Sequence, residues 1–203
     1  MARVGARFVL ALATALAGFL PALPAGAVGE TSMYAPDDPL KDVKQQIEDI
    51  YGVFILLPSR RNPQEKVEIN GDTVTMWLYV DPRKPDYDKV KCDALKWTLL
   101  GRFGTGGAQP FFNQFEKYND VNVFFFKLDS TRTVDKDGKY TVKKDPNTIL
   151  KVQLSRRKSE RLDWNAVKAA LPVESQRGAD YGACVRSGER FVDRTWYNKE
   201  YFK

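Results

Sequence analysis

Lys66-Val67-Glu68-Ile69-Asn70-Gly71-Asp72-Thr73-Val74-Thr75-Met76-Trp77-Leu78-Tyr79-Val80 is the stretch on which the fold class turns. Asn70-Gly71 tolerates the positive φ angles of a tight turn, so 66–69 and 73–80 are predicted to pair as an antiparallel hairpin. Within the second strand the side chains alternate. Val74, Met76, Leu78 and Val80 make one aliphatic face, while Thr73, Thr75, Trp77 and Tyr79 occupy the other. An aliphatic sheet face requires a covering layer, and the flanking sequence supplies helices for it.

Upstream, Asp37 or Asp38 can cap a helix with Pro39 in its first turn; Leu40, Val43, Ile47 and Ile50 mark its apolar side, and Gly52 can stop it. Val53 to Leu57 reads as a strand buried on both faces. Downstream, 86–103 reads as a second helix, with Val90, Ala94 and Trp97 on one stripe, Cys92, Leu95, Leu99 and Phe103 extending it, and Gly104 at its end. Gly104 to Pro110 is a glycine-rich connector. Strands follow at 121–128, 139–143 and 148–154, with a turn at 135–138, and a short third helix at 164–171 is capped by Asp163. A further strand is expected around Phe191. The result is an α+β domain with a mainly antiparallel sheet and two longer helices and one short helix packed on one face. An outer-membrane barrel is excluded, since it needs about eight amphipathic strands and no core helices.

The first 27 residues read differently. Arg3 and Arg7 form a basic start, Phe8 to Leu23 carries no charge, and Ala25-Gly26-Ala27 is a small-x-small cleavage pattern. A membrane anchor would need about 20 apolar residues, and Pro21 interrupts this run. Residues 1–27 are therefore expected to be a cleavable secretory signal, 28–36 a flexible leader and 37–203 a single domain. No transmembrane segment is expected after signal removal, and the protein is predicted to be exported, periplasmic or extracellular. Net charge falls from +6 to about +4 as Arg3 and Arg7 leave. In an oxidising compartment the two cysteines, Cys92 and Cys184, are expected to pair.

The chain contains no histidine, which excludes Ser-His, Cys-His and His-metal mechanisms. Carboxylate pairs, a Ser-Lys dyad or an all-oxygen metal site remain. Asp37-Asp38 is explained by a helix start, and Glu48-Asp49 by the solvated side of that helix. Asp135-x-Asp137-Gly138 is a poor match to a calcium loop and reads as a hairpin turn. Gly104-Thr105-Gly106-Gly107 follows a helix instead of a strand, so it reads as a helix stop and flexible connector, not a phosphate cradle. No catalytic residue, metal or cofactor is assigned.

Arg156-Arg157-Lys158 with Arg161, and Arg60-Arg61, are the densest basic spots. Such short runs usually form a solvated surface, with an anionic envelope component or another envelope protein as possible partners. No nucleic-acid module accompanies them. Trp77 and Tyr79, joined by Phe124 and Phe126 on the next apolar strand, are the candidate ligand-binding residues. A second small core beneath the C-terminal segment is the competing account of these rings. The function expected is a non-catalytic binding or interaction module; a carboxylate-dependent hydrolase acting on an envelope polymer is the alternative. In its order of helix, hairpin, helix and strand, and in no motif, the chain resembles small envelope domains of the BON type, which implies a link to membrane surfaces.

Overall fold

The computed structural model describes residues 34–53, 62, 64–80, 86–134, 136–171 and 180–202. The expected signal segment, Arg60-Arg61 and residues 54–57 of the strand expected after the first helix lie outside them. The described residues belong to one unit, Ser32–Lys203.

Hairpin alternation builds the centre as expected. β1 (Lys66–Asn70) and β2 (Thr73–Tyr79) pair antiparallel around Asn70-Gly71, with Val67 opposite Met76 and Ile69 opposite Val74. β3 (Asp120–Val134) lies parallel to β2, and β4 (Tyr140–Ser155) and β5 (Arg194–Tyr197) extend the sheet antiparallel in the order β1-β2-β3-β4-β5. The parallel step requires a crossover, and the helices provide it. α1 (Lys41–Tyr51) precedes the hairpin; α2 (Tyr87–Leu100) and α3 (Ala108–Gln114) connect β2 to β3. α4 (Arg156–Ser159), α5 (Trp164–Ala170) and α6 (Tyr181–Gly188) fall between β4 and β5. The class is α+β with a mostly antiparallel sheet.

Several local expectations are corrected. The second helix stops at Gly101, three residues early, and Phe103 is exposed instead of extending the apolar stripe. The segments expected separately at 139–143 and 148–154 are one strand, kinked where Phe125 faces Leu150 but Phe126 faces Thr148, leaving Ile149 as a bulge. From Lys127 and Asn147 outward β3 and β4 pair, among the described residues, with each other alone, as a largely exposed two-stranded arm. The strand expected around Phe191 begins at Arg194; Glu189–Phe191 is a 3₁₀ turn. α3, α4 and α6 were not expected. Glu48 is buried, not solvated, because Tyr34 Oη–H donates to its carboxylate (2.5 Å) while accepting the Val67 N–H (2.9 Å).

One sheet face meets the helices. Val74, Val121 and Leu154, then Met76, Val123 and Val152, then Leu78, Phe125 and Leu150 form cross-strand rows, all buried. Leu95, Leu99 and Leu100 of α2 join the same core. Two devices hold the helices there. Cys92 of α2 is bonded to Cys184 of α6. The glycine-rich connector is a tight crossing instead of a flexible link: Gly107 N–H donates to Ile50 O (3.2 Å), Gly106 N–H to Leu100 O (3.1 Å) and Arg102 N–H to Tyr51 O (2.8 Å). A Cβ on Gly106 would lie 1.7 Å from Ile50 O, so only glycine lets the ends of α1 and α2 meet.

Gly106→Ala should destabilise the protein by about 3 kcal/mol or more, seen as a lower urea midpoint, because backbone and not a flexible side chain fills the space. The Cys92–Cys184 ring spans 92 residues, for which the chain-entropy account gives about 4–5 kcal/mol before strain. The Cys92→Ser/Cys184→Ser double variant should therefore melt about 8–20 °C lower by calorimetry, at about 2–4 °C per kcal/mol for a domain of this size.

Candidate functional site

The sheet face away from the helices carries a different set of side chains. Register places Lys66, Trp77, Phe124, Lys151 and Trp196 in one row across β1 to β5. The neighbouring row is polar: Thr75, Asn122, Gln153 and Arg194, with Gln153 Nε2–H donating to Asn122 Oδ1 (2.9 Å). On the other side Tyr79 and Phe126 are paired.

The rings are held before any ligand arrives. Trp77 and Phe124 meet edge to face with centroids 4.6 Å apart, and Trp77 and Tyr79 lie 6.4 and 5.9 Å from Phe126. Trp77 Nε1–H donates to Glu68 Oε2 (2.8 Å), and the Lys66 ammonium lies 2.5 Å from Glu68 Oε1. Burial works to raise the Glu68 pKa, but the hydrogen bonds from Lys66 and Trp77 outweigh it and leave the carboxyl below its ordinary value of 4.5. Lys151 Nζ stands 5.0 Å above the Phe124 ring.

Of the four aromatic residues expected at a site, Trp77, Tyr79 and Phe124 are partly exposed on this face. Phe126 has no exposed surface and serves as a support beneath its neighbours. Phe126 is thus core, with the three half-buried rings arranged around it.

The sequence offers further rings in the tail, Trp196, Tyr197, Tyr201 and Phe202, and of these Trp196 stands at the far end of the row. Trp196 is 46% exposed. With Lys91, Thr195, Tyr197, Lys199 and Phe202 it lines a groove of about 800 Å³ along β5. Lys91 Nζ sits 5.1 Å from the Tyr197 ring and 4.9 Å from the Phe202 ring. Burial, reinforced by the hydrogen bond to Glu189, pushes the Tyr197 hydroxyl far above its ordinary range. The available signal was alternation in Arg194-Thr195-Trp196-Tyr197, together with Lys151 standing between Leu150 and Val152.

The basic run at Arg156 is not a simple solvated patch. The Arg156 guanidinium donates to Phe112 O (2.8 Å) in the last turn of α3 and to Phe115 O (2.7 Å) and Tyr118 O (2.7 Å) of the segment that follows it. Arg157 remains exposed.

Carboxylates gather at the other end of the sheet. Burial, with the charges of Asp72 and Asp193, raises the Asp120 pKa, whereas the hydrogen bond from Asn119 lowers that of Asp72. Their hydrogen bonds are structural: Asn119 Nδ2–H donates to Asp72 (2.9 Å), and Ser155 N–H to Asp193 (2.5 Å). Comparison of the chain with known protein families, curated proteins and solved structures finds no match.

A carboxyl held below its ordinary pKa stabilises the fold above pH 4.5, and that contribution is lost as pH falls through the folded value. The Trp77 indole N–H resonance should accordingly shift upfield as pH drops below 4.5, and Glu68→Gln should flatten that titration in a ¹⁵N–¹H spectrum.

Proposed function

We propose that the chain is an exported, non-catalytic binding module that takes its ligand on the sheet face opposite the helices. One observation carries this reading: the cross-strand row of Trp77, Phe124, Lys151 and Trp196, rings and a cation on the side of the sheet that the helices leave. Amphipathic rings fixed by neighbours offer contact area with little entropy left to lose. Export rests on the signal pattern in residues 1–27. The Cys92–Cys184 bond is compatible with it, as is the finding that no described helix is long and apolar enough to cross a membrane.

The alternative, a carboxylate-dependent hydrolase acting on an envelope polymer, has Asp120 as its best acid. We prefer binding because Asp72 and Asp193, the carboxylates beside it, are engaged as backbone and side-chain tethers.

Trp77→Ala/Tyr79→Ala protein, immobilised and challenged with solubilised cell-envelope extract, should retain about tenfold less of the ligand than the parent chain, the loss expected when central aromatic anchors are truncated. Unchanged retention by a variant with parental circular dichroism removes this face as the site.

A further inference from the structure

We infer that the ligand is an acidic linear polysaccharide, laid across the strands from β2 to the groove at the edge of β5; this rests on the sheet-face reading above. Length comes first. Trp77 and Trp196 stand three strands apart, about 14 Å at ordinary strand spacing, and at Trp196 the row reaches the β5 edge, where a groove lined from the helix side by Lys91, Thr195 and Tyr197 begins. A track of that length suits an extended polymer better than a small molecule.

Chemistry comes second. A pyranose ring presents a C–H face that packs on indole and phenyl rings, and hydroxyls around its rim that amides can hold. The aromatic row and the adjacent row of Thr75, Asn122 and Gln153 supply both kinds of group side by side.

Charge comes third. Lys66 at the β1 end is neutralised by Glu68. At the β4–β5 end Lys151, Arg194 and Lys199 make no ion pair among the described residues, while Lys91 on the helix side of the groove is paired with Asp88 (3.4 Å) and adds no free charge. The excess positive charge therefore lies where the groove opens, and it calls for carboxylates along the sugar chain.

Two other polymers fit less well. A single-stranded nucleic acid stacks its bases on the same kind of ring but carries a phosphate at every step and calls for cations along the whole track, whereas the cation at the Trp77 end, Lys66, is already neutralised by Glu68. A peptide strand added at the free edge of β5 would use that strand's backbone and would leave Trp77 and Phe124 idle.

The test uses the oxidised mature protein with three probes: polygalacturonate, its fully methyl-esterified form, and a thymidine 20-mer, each titrated by tryptophan fluorescence at low and high salt. Polygalacturonate should bind, weaken at least tenfold at high salt, and bind at least tenfold better than the neutral ester. Trp196→Ala and Lys151→Ala/Lys199→Ala, all at exposed or half-exposed positions, should each lower its affinity about tenfold with unchanged circular dichroism. Equal binding of the ester, lost in Trp196→Ala, overturns the acidic class and keeps the sheet face. Tighter binding of the thymidine 20-mer overturns the polysaccharide in favour of nucleic acid. No binding of any probe overturns the inference, and the extract experiment on Trp77→Ala/Tyr79→Ala then decides separately whether the face binds anything.

Discussion

Everything in this molecule depends on strand register. Side chains alternate with period two, so a slip of one residue between β2 and β3 would exchange their two faces completely. In the observed register Val74, Met76 and Leu78 line up with Val121, Val123 and Phe125, and these in turn with Leu154, Val152 and Leu150. Burial of three aliphatic rows fixes the register, and the rings of Trp77 and Phe124 reach the opposite face as its necessary counterpart. The candidate site is thus set by the core: the energy that buries valines beneath α2 also orders the rings on the other side.

Register alone does not hold a parallel pair together, because β2 and β3 are joined by two helices and not by a turn. The crossover is closed at points where no side chain would serve. At Gly106 the backbone of the α1 end and the connector touch directly. At Arg156 one guanidinium collects carbonyls from the last turn of α3 and the segment that follows it, and so fastens the exit of β4 to the entry of β3. These contacts explain why the residues that looked most available for a partner, the Gly104–Gly107 loop and the Arg156 run, are largely used within the fold.

The hairpin at Asn70-Gly71, the split of β2 into two faces, the second helix and the Cys92–Cys184 pair were legible because each follows from a local rule: turn chemistry, alternation, an apolar helical stripe ended by glycine, and an even cysteine count. The parallel placement of β3 was not, since it depends on contacts between segments far apart in sequence. Glu48 looked solvated because helical periodicity puts it away from Ile47 and Ile50; the hydrogen bond from Tyr34, fourteen residues away, could not be read from that periodicity. α6 was missed because Asp180-Tyr181-Gly182 has a cap followed at once by a glycine, and its stability comes from the disulfide and from packing on α2 more than from propensity. Trp77, Tyr79 and Phe124 were found by alternation. Trp196 was visible only as one of the tail rings, because a four-residue strand is too short for a period-two pattern to assign it to this face.

The two ends of the aromatic row are secured by different means. At β2 the rings are fixed by near neighbours on the sheet, through Glu68, Phe124 and Phe126. At β5 they depend on the last stretch of chain, which reaches the sheet only after α6 and the 3₁₀ turn, with Tyr197 tied back to Glu189 and Phe202 packed on Tyr87. Cys184 is the covalent anchor of that stretch, and its partner Cys92 is the residue next to Lys91, whose ammonium faces the groove. The disulfide therefore joins the helix that supplies a groove cation to the segment that supplies Trp196. Where thiols stay reduced, only non-covalent contacts hold these two pieces in place, and the β5 half of the row loses its covalent support. Closing the disulfide then does more than stabilise the domain, because it secures the β5 end of the surface on which the proposed ligand lies.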